Sequence, residues 1–212
     1  MLRYKGIYWA TLAPLMKKSL TKRYSEQLAR MVMDNGKAEY KKLLERFYDI
    51  GEDNPLAPNA YCACVFLGAW LATGRLVSPE GMGVVIGDVL KSLRPFTARV
   101  NLNTDKGLRH WQDKMKQYEA WQTVNAEKYP AAWSVGFNDS LHRDGTYFYF
   151  TRCPIAAFCK REGMGEFMPG LYAAEKVMFQ LQHGKLIREN TTPKSDAIFD
   201  YWLVGDQTEN PQ

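Results

Sequence analysis

Long hydrophobic runs, cysteines and histidines are all scarce in this sequence of 212 residues. The longest apolar stretch, residues 60–73, is shorter than the roughly twenty residues that a membrane-crossing helix needs. Residues 1–14 lack the extended apolar core and the small-residue cleavage site of a signal peptide. We therefore expect a cytoplasmic protein that does not associate with membranes.

The four cysteines do not form a recognisable disulfide or metal pattern; they are Cys62, Cys64, Cys153 and Cys159. A structural zinc site needs two pairs of ligands at suitable spacing, and here no second Cys pair accompanies the first. The three histidines share no metal-ligand spacing either. The sequence predicts reduced thiols, no metal site and no cofactor.

The charge is also small, at a formal +5. Between Lys37 and Arg46 the basic residues alternate with acidic ones, which is typical of a solvated helix face. A nucleic-acid footprint needs a basic stripe or a base-reading motif, and neither is present. We expect no nucleic-acid partner and leave assembly into a homo-oligomer open.

The hydrophobic pattern changes along the chain. Helical spacing predicts helices over 25–33 and 37–50, separated by Asn35-Gly36, then over 60–73, 78–93 and 105–118 with an extension towards 126. Further on, β-rich segments at 132–137 and 147–151 predict one antiparallel pair, and segments at 185–191 and 198–204 predict another. Two helices, 153–162 and 168–182, lie between the pairs.

These elements predict an α+β fold. A helical region, 1–128, packs on an antiparallel sheet module of order β-β-α-α-β-β, 129–206, and a flexible tail follows at 207–212. The length favours one integrated domain rather than separate ones.

Two groups of motifs in the C-terminal part of the chain carry a family resemblance. The first comprises Phe150-Thr151-Arg152-Cys153-Pro154, Glu162-Gly163 and Met168-Pro169-Gly170-Leu171. The second comprises Leu186-Ile187-Arg188-Glu189-Asn190-Thr191-Thr192 and Phe199-Asp200-Tyr201. In order and spacing these motifs resemble the L-2-amino-thiazoline-4-carboxylic acid hydrolase family.

The resemblance implies ring opening of 2-amino-thiazoline-4-carboxylate to S-carbamoyl-cysteine, in which water adds to the amidine carbon and the ring C–N bond breaks. Such a reaction needs a nucleophile or base, an acid for the departing nitrogen and a cation for the substrate carboxylate. The chain departs from the family pattern at Tyr172 and Phe199, where the family has further cysteines. Only Cys153 is kept.

Cys153 is the strongest catalytic candidate. It follows a predicted strand and precedes Pro154, which suits the first turn of a helix. A thiol at the positive end of a helix and next to Arg152 is expected to favour the thiolate, which could attack an amidine carbon. The alternative is a small buried residue at a tight junction.

Charged residues on the neighbouring elements supply the other functions. Arg152 and Arg188 are candidates to hold the substrate carboxylate, and alternation along a strand allows only one of them to face a pocket. Glu175 lies among apolar neighbours, so burial could raise its pKa and suit it to proton transfer. Asp200 is a further binding candidate, but if its aromatic neighbours face the core, it is expected to be exposed.

Loop and aromatic residues complete the candidate site. His142, in the loop between the first two strands, is interpreted either as a surface residue or as a proton shuttle. Tyr149 and Trp133 could stack on a flat heterocycle, although strand aromatics are mostly core.

With these residues, the resemblance implies a cofactor-independent hydrolase that opens a C–N bond of a small cyclic amidine or related heterocyclic carboxylic acid. The rival hypotheses are a non-catalytic small-molecule-binding or sensor module that keeps the family pocket, and a helical scaffold partner.

Overall fold

The computed structural model describes residues 1–138, 140–189 and 198–212. The chain divides into two compact units. The first comprises residues 1–92 and 155–174, and the second comprises residues 93–154 and 175–212. The predicted division at residue 129 stays a prediction.

The helices are α1 Gly6–Arg23, α2 Glu26–Arg46, α3 Ala57–Ala72, α4 Pro79–Ser92, α5 Arg94–Thr97, α6 Asp105–Asn125, α7 Pro154–Arg161 and α8 Met168–Leu181, with a 3-10 turn at Gly165–Phe167. The strands are β1 Ser134–Gly136, β2 Thr146–Arg152, β3 Gly184–Ile187 and β4 Phe199–Gly205. Within the described ranges, no helix has the length and apolar character of a membrane span.

The α+β prediction is confirmed: the chain begins with helices and ends in an antiparallel sheet of order β1-β2-β4-β3. Both predicted strand pairs form, because β1 pairs with β2 and β3 pairs with β4, all antiparallel. The last two residues of the predicted segment 185–191 lie outside the described residues.

Side-chain caps start several helices as their sequences suggest. The Ser25 hydroxyl accepts a hydrogen bond from the Leu28 amide at 3.1 Å at the start of α2. The Thr104 hydroxyl accepts one from the Gly107 amide at 3.1 Å at the start of α6. Each hydroxyl satisfies one of the amides that the first turn of a helix leaves without a partner.

The predicted break at Asn35-Gly36 is wrong, because α2 runs through both residues without interruption. The Asn35 side chain donates to the Met31 carbonyl at 3.0 Å, one turn earlier in the same helix. A Cβ at Gly36 would overlap the Trp9 ring. Gly36 is therefore a site of close helix packing in the first unit and not a turn residue.

In the second unit the two faces of the sheet carry different side chains. Phe148 is paired with Tyr201 across β2 and β4, and Tyr147 is paired with Trp202. Because consecutive strand residues point to opposite sides, these pairs lie on opposite faces. Tyr201 contacts Phe179 of α8, with ring centroids 6.5 Å apart, so we name its side the helix face.

The opposite side of the sheet is named the loop face, because residues from the loop between β1 and β2 cover it. Its core consists of Tyr147, Trp202 and Val204. The indole nitrogen of Trp202 donates to the Asp144 carbonyl at 2.8 Å, which ties that loop to the sheet. The sheet is thus buried on both faces, and polar residues on either face lie in protein surroundings.

Candidate functional site

An ion pair on the helix face joins α8 to the end of β3. Glu175 lies on α8, and Arg188 directly follows Ile187, the last residue of β3. An Arg188 guanidinium nitrogen donates to Oε2 of Glu175. The Arg188 side chain is only 10% exposed and that of Glu175 is 32% exposed. The pair is therefore shielded from most of the solvent.

Tyr201 of β4 completes the arrangement. Its hydroxyl donates to Oε1 of Glu175 at 2.9 Å, and the Arg188 guanidinium carbon lies 4.5 Å from the centre of its ring. The ring also stacks on Phe148, with centroids 5.0 Å apart and an interplanar angle of 7°. Both carboxylate oxygens of Glu175 are thus engaged, one by each neighbour.

The surroundings shift the pKa values of these groups. Burial raises the pKa of Glu175, and the charge of Arg188 and the hydrogen bond from Tyr201 oppose this rise. Burial and the Glu175 carboxylate raise the pKa of Tyr201 well above its ordinary value. Tyr201 is therefore a protonated phenol, able to donate its hydrogen bond over the whole physiological pH range.

Cys153 lies close to this group. It is half-buried and directly precedes Pro154, the first residue of α7. A negative charge at Cys153 would contribute to the raised pKa of Tyr201, so the two residues are electrostatically coupled. Three predicted residues, Cys153, Glu175 and Arg188, are thus brought together around Tyr201, and we name these four residues the polar cluster.

Sequence reasoning missed Tyr201. Together with Phe199, Tyr201 flanks Asp200, and the sequence indicates both as core aromatics. For the ring of Tyr201 this holds, because the ring is packed on both Phe148 and Phe179. The signal that could have identified it is its hydroxyl: a tyrosine in a buried strand usually needs a hydrogen-bond partner.

Arg152 has different surroundings from Arg188. It ends β2, is exposed, and its Nε donates to the Ala132 carbonyl at 2.9 Å. Among the residues that the structure describes, it forms no ion pair with a carboxylate. Its guanidinium is therefore held at one nitrogen, next in sequence to Cys153.

The expectation that Asp200 is exposed is wrong. The residue is 0% exposed and one of its carboxylate oxygens accepts a hydrogen bond from the Glu189 amide at 2.7 Å. Its aromatic neighbours do face the helix side, so Asp200 points to the loop face. The expectation failed because the loop face is covered as well.

The surface interpretation of His142 is also wrong, because its side chain is only 8% exposed. The ring stacks on Trp202, with centroids 3.7 Å apart and an interplanar angle of 12°. Its Nε2 lies 3.3 Å from a carboxylate oxygen of Glu189. His142 therefore belongs to the loop face, whereas Glu175 and Tyr201 belong to the helix face.

Trp133 and Tyr149 are packed against protein. Trp133 is 4% exposed, and its carbonyl accepts a hydrogen bond from the Tyr118 hydroxyl at 2.8 Å. Tyr149 is half-buried on the loop face and lies over Gly136 of β1, where a Cβ would overlap its ring. Core packing accounts for both residues.

The described ranges contain no metal cluster, and the groove found there lies away from the polar cluster. There, no three His, Cys, Asp or Glu side chains converge in a way that could hold a metal ion. A groove of about 540 Å³ runs along α2 and is lined by Glu26, Gln27, Arg30, Met31, Asp34 and Asn35. None of the predicted site residues lines this groove. The polar cluster is therefore the better candidate for a functional site.

Comparison with known proteins gives one family match. The family model described as L-2-amino-thiazoline-4-carboxylic acid hydrolase matches residues 61–198. The match includes α3, α4 and α6 and therefore extends well beyond the C-terminal motifs. Neither the curated proteins nor the solved structures contain a significant match.

Proposed function

Because the chain belongs to the L-2-amino-thiazoline-4-carboxylic acid hydrolase family, we propose that it opens a C–N bond of a small cyclic amidine or related heterocyclic carboxylic acid. The observation that carries this proposal is the polar cluster, which combines a thiol, a carboxylate, a phenol and a guanidinium. These groups match the needs of amidine hydrolysis, namely a nucleophile, a proton donor and acceptor, and a cation.

Cys153 is the proposed nucleophile. Its thiolate attacks the amidine carbon, forming a C–S bond and a tetrahedral adduct. The ring C–N bond then breaks and its electron pair goes to the nitrogen, which takes a proton. Water adds to the same carbon, and expulsion of the Cys153 sulfur regenerates the thiolate and leaves a carbonyl. The sum is substrate plus one water, with no other reactant.

Glu175 is the proposed proton carrier. Burial raises its pKa, so that the group can hold a proton nearer to neutral pH than an ordinary glutamate. It can then donate that proton to the departing ring nitrogen and recover one from the attacking water. The hydrogen bond from Tyr201 and the ion pair with Arg188 fix the position of its carboxylate.

Arg152 is the better of the two candidate anchors for the substrate carboxylate. Arg188 is already bonded to Glu175 and mostly buried. Arg152 is exposed, next to the proposed nucleophile, and without a carboxylate partner among the described residues. A guanidinium with free nitrogens can bind a carboxylate bidentately.

The second candidate function is a non-catalytic binding or sensor module. It is favoured by Tyr172 and Phe199, which stand where the family has cysteines. Phe199 is 7% exposed in β4 and so serves packing rather than thiol chemistry. If several thiols are needed for turnover, this chain would bind the ligand and not convert it.

One experiment separates the two functions. The purified protein is incubated with 2-amino-thiazoline-4-carboxylate and related cyclic amidines, and ring opening is followed together with ligand binding by calorimetry. We expect turnover that Cys153→Ala abolishes and that Cys62→Ala, the same change at another half-buried cysteine, leaves intact. Binding without turnover would favour the sensor module, and full turnover by Cys153→Ala would exclude the proposed nucleophile.

A second experiment tests the thiolate directly. Burial raises the pKa of Cys62 to about 11, so this thiol should resist iodoacetamide at mildly acidic pH. A thiolate at Cys153 should be alkylated there, and mass spectrometry of peptides distinguishes the two sites. Equal resistance of both cysteines would contradict the mechanism, while leaving the family assignment untouched.

A further inference from the structure

Two consecutive residues at the end of β3 are held on opposite faces of the sheet. Arg188 bonds to Glu175 and covers the ring of Tyr201 on the helix face. Glu189 lies beside His142 on the loop face, with 3.3 Å between carboxylate and imidazole. One peptide unit joins these two residues, so a contact that restrains Glu189 also restricts where Arg188 can lie.

The imidazole of His142 is itself firmly placed. It stacks on Trp202, lies 5.1 Å from the Tyr147 ring and is nearly excluded from solvent. Packing holds the ring in place, yet Nε2 makes no hydrogen bond with any residue of the described ranges. A phenyl ring would fill the same space, so core packing does not explain why a ring nitrogen faces Glu189.

We propose that His142 is a positioning residue for the polar cluster: through Glu189 it holds the end of β3 so that Arg188 stays bonded to Glu175. The inference rests on the proposed function, because Glu175 is the proton carrier there. It assigns His142 an indirect role, since the residue lies on the face of the sheet opposite to Glu175.

At 3.3 Å, the imidazole and the Glu189 carboxylate are close enough to interact electrostatically. An imidazolium attracts the Glu189 carboxylate more strongly than a neutral imidazole does. Among the described residues, Tyr147 on β2 also lies beside the ring, with centroids 5.1 Å apart. The Glu189 amide donates to Asp200 at 2.7 Å, so the backbone of Glu189 is held to β4 while its carboxylate lies beside His142.

The test compares three variants. His142→Phe keeps a ring against Trp202 and removes Nε2, Glu189→Gln keeps the shape and removes the charge, and Arg143→Gln removes a neighbouring charge as the control. The direct readout is the Nε–H signal of Arg188 in ¹⁵N–¹H spectra, assigned by its loss in Arg188→Lys. Circular dichroism shows whether each variant is folded.

We expect the Arg188 signal of Arg143→Gln to coincide with that of the unmodified protein, and that of Glu189→Gln to shift, because the contact with His142 is weakened. His142→Phe should also shift the Arg188 signal. An Arg188 signal that keeps its position in all four proteins would overturn the inference, even if His142→Phe failed to fold, because Glu189→Gln tests the same contact.

Kinetics give the second readout. Each of the two test variants should lower kcat for 2-amino-thiazoline-4-carboxylate about tenfold with little change in KM, and the double variant should be no worse than either alone. Additive losses would contradict a shared role. If the unmodified protein shows no turnover, the proposed function fails, and the spectra decide the positioning role alone.

Discussion

The hydroxyl of Tyr201 donates a hydrogen bond of 2.9 Å to Glu175, so a strand residue of the sheet holds a carboxylate on the helix α8. Because the ring is packed between Phe148 and Phe179, removing the oxygen leaves the ring in place. Tyr201→Phe is therefore the mildest change that perturbs the polar cluster, and it separates the electrostatics of Glu175 from the packing of β4.

We predict that Tyr201→Phe lowers the free energy of unfolding by about 1 kcal/mol, since one hydrogen bond to a carboxylate is lost. The bond from Tyr201 lowers the pKa of Glu175, so its removal lets that pKa rise further. Because Glu175 acts first as a proton donor, the alkaline limb of the pH–rate profile should move to higher pH. Tyr24→Phe, at an exposed tyrosine, serves as the control in denaturant titrations and kinetics.

The ion pair of Glu175 and Arg188 should behave as a coupled unit. Arg188→Gln leaves the mostly shielded Glu175 carboxylate without its opposite charge, which should cost about 2 kcal/mol of unfolding free energy. Glu175→Gln, which resembles the protonated carboxyl, should cost less. The double variant should lose less than the sum of the single variants, as measured by urea denaturation. Strict additivity would mean that the two side chains do not stabilise each other.

Stability should fall as pH rises, because the pKa of Glu175 is raised in the folded protein. A carboxyl whose pKa is higher in the folded than in the unfolded protein favours folding when protonated. That contribution is complete below the ordinary value of 4.5 and is lost as pH rises through the folded-state pKa. The Glu175→Gln variant should lack this loss, which urea titrations between pH 4 and pH 8 would detect.

Asp88 on α4 should give the opposite pH dependence. It accepts hydrogen bonds from the Ser19 hydroxyl at 2.6 Å and from two nitrogens of Arg23, and Arg23 foremost lowers its pKa to about 2. Its stabilisation is present above 3.8 and is lost as pH falls through about 2. Asp88→Asn should cost about 1 to 2 kcal/mol at neutral pH and remove this acid-dependent loss. An unchanged acid transition would contradict the prediction.

Gly170 in the Met168-Pro169-Gly170-Leu171 motif should be intolerant of a side chain. A Cβ there would overlap the Pro79 carbonyl oxygen, and the Gly83 amide nitrogen on α4 would lie 3.5 Å from it. Gly170→Ala should lower the unfolding free energy by about 2 kcal/mol through overpacking. At Gly165 nothing lies within 4 Å of an added Cβ, so Gly165→Ala should change it by less than about 0.5 kcal/mol.

The sequence by itself determined the order and type of most elements. Ser78-Pro79-Glu80 predicts the start of α4, and the β-rich composition of 147–151 predicts β2, because capping and strand propensity are local properties. The family motifs pointed to the membership that the match over residues 61–198 shows. Local signals failed at Asn35-Gly36, where the turn propensity of the pair was overridden by packing against Trp9.

Only the tertiary structure decided which candidates share a site. Cys153, Glu175 and Tyr201 come from separate parts of the chain. The way β4 pairs in the sheet directs Tyr201 towards α8 and buries its neighbour Asp200 on the other face. His142 lies on that other face because its ring stacks on Trp202. Sequence spacing carries no information on register between distant strands, because register is fixed by the hydrophobic faces that pair when the chain folds.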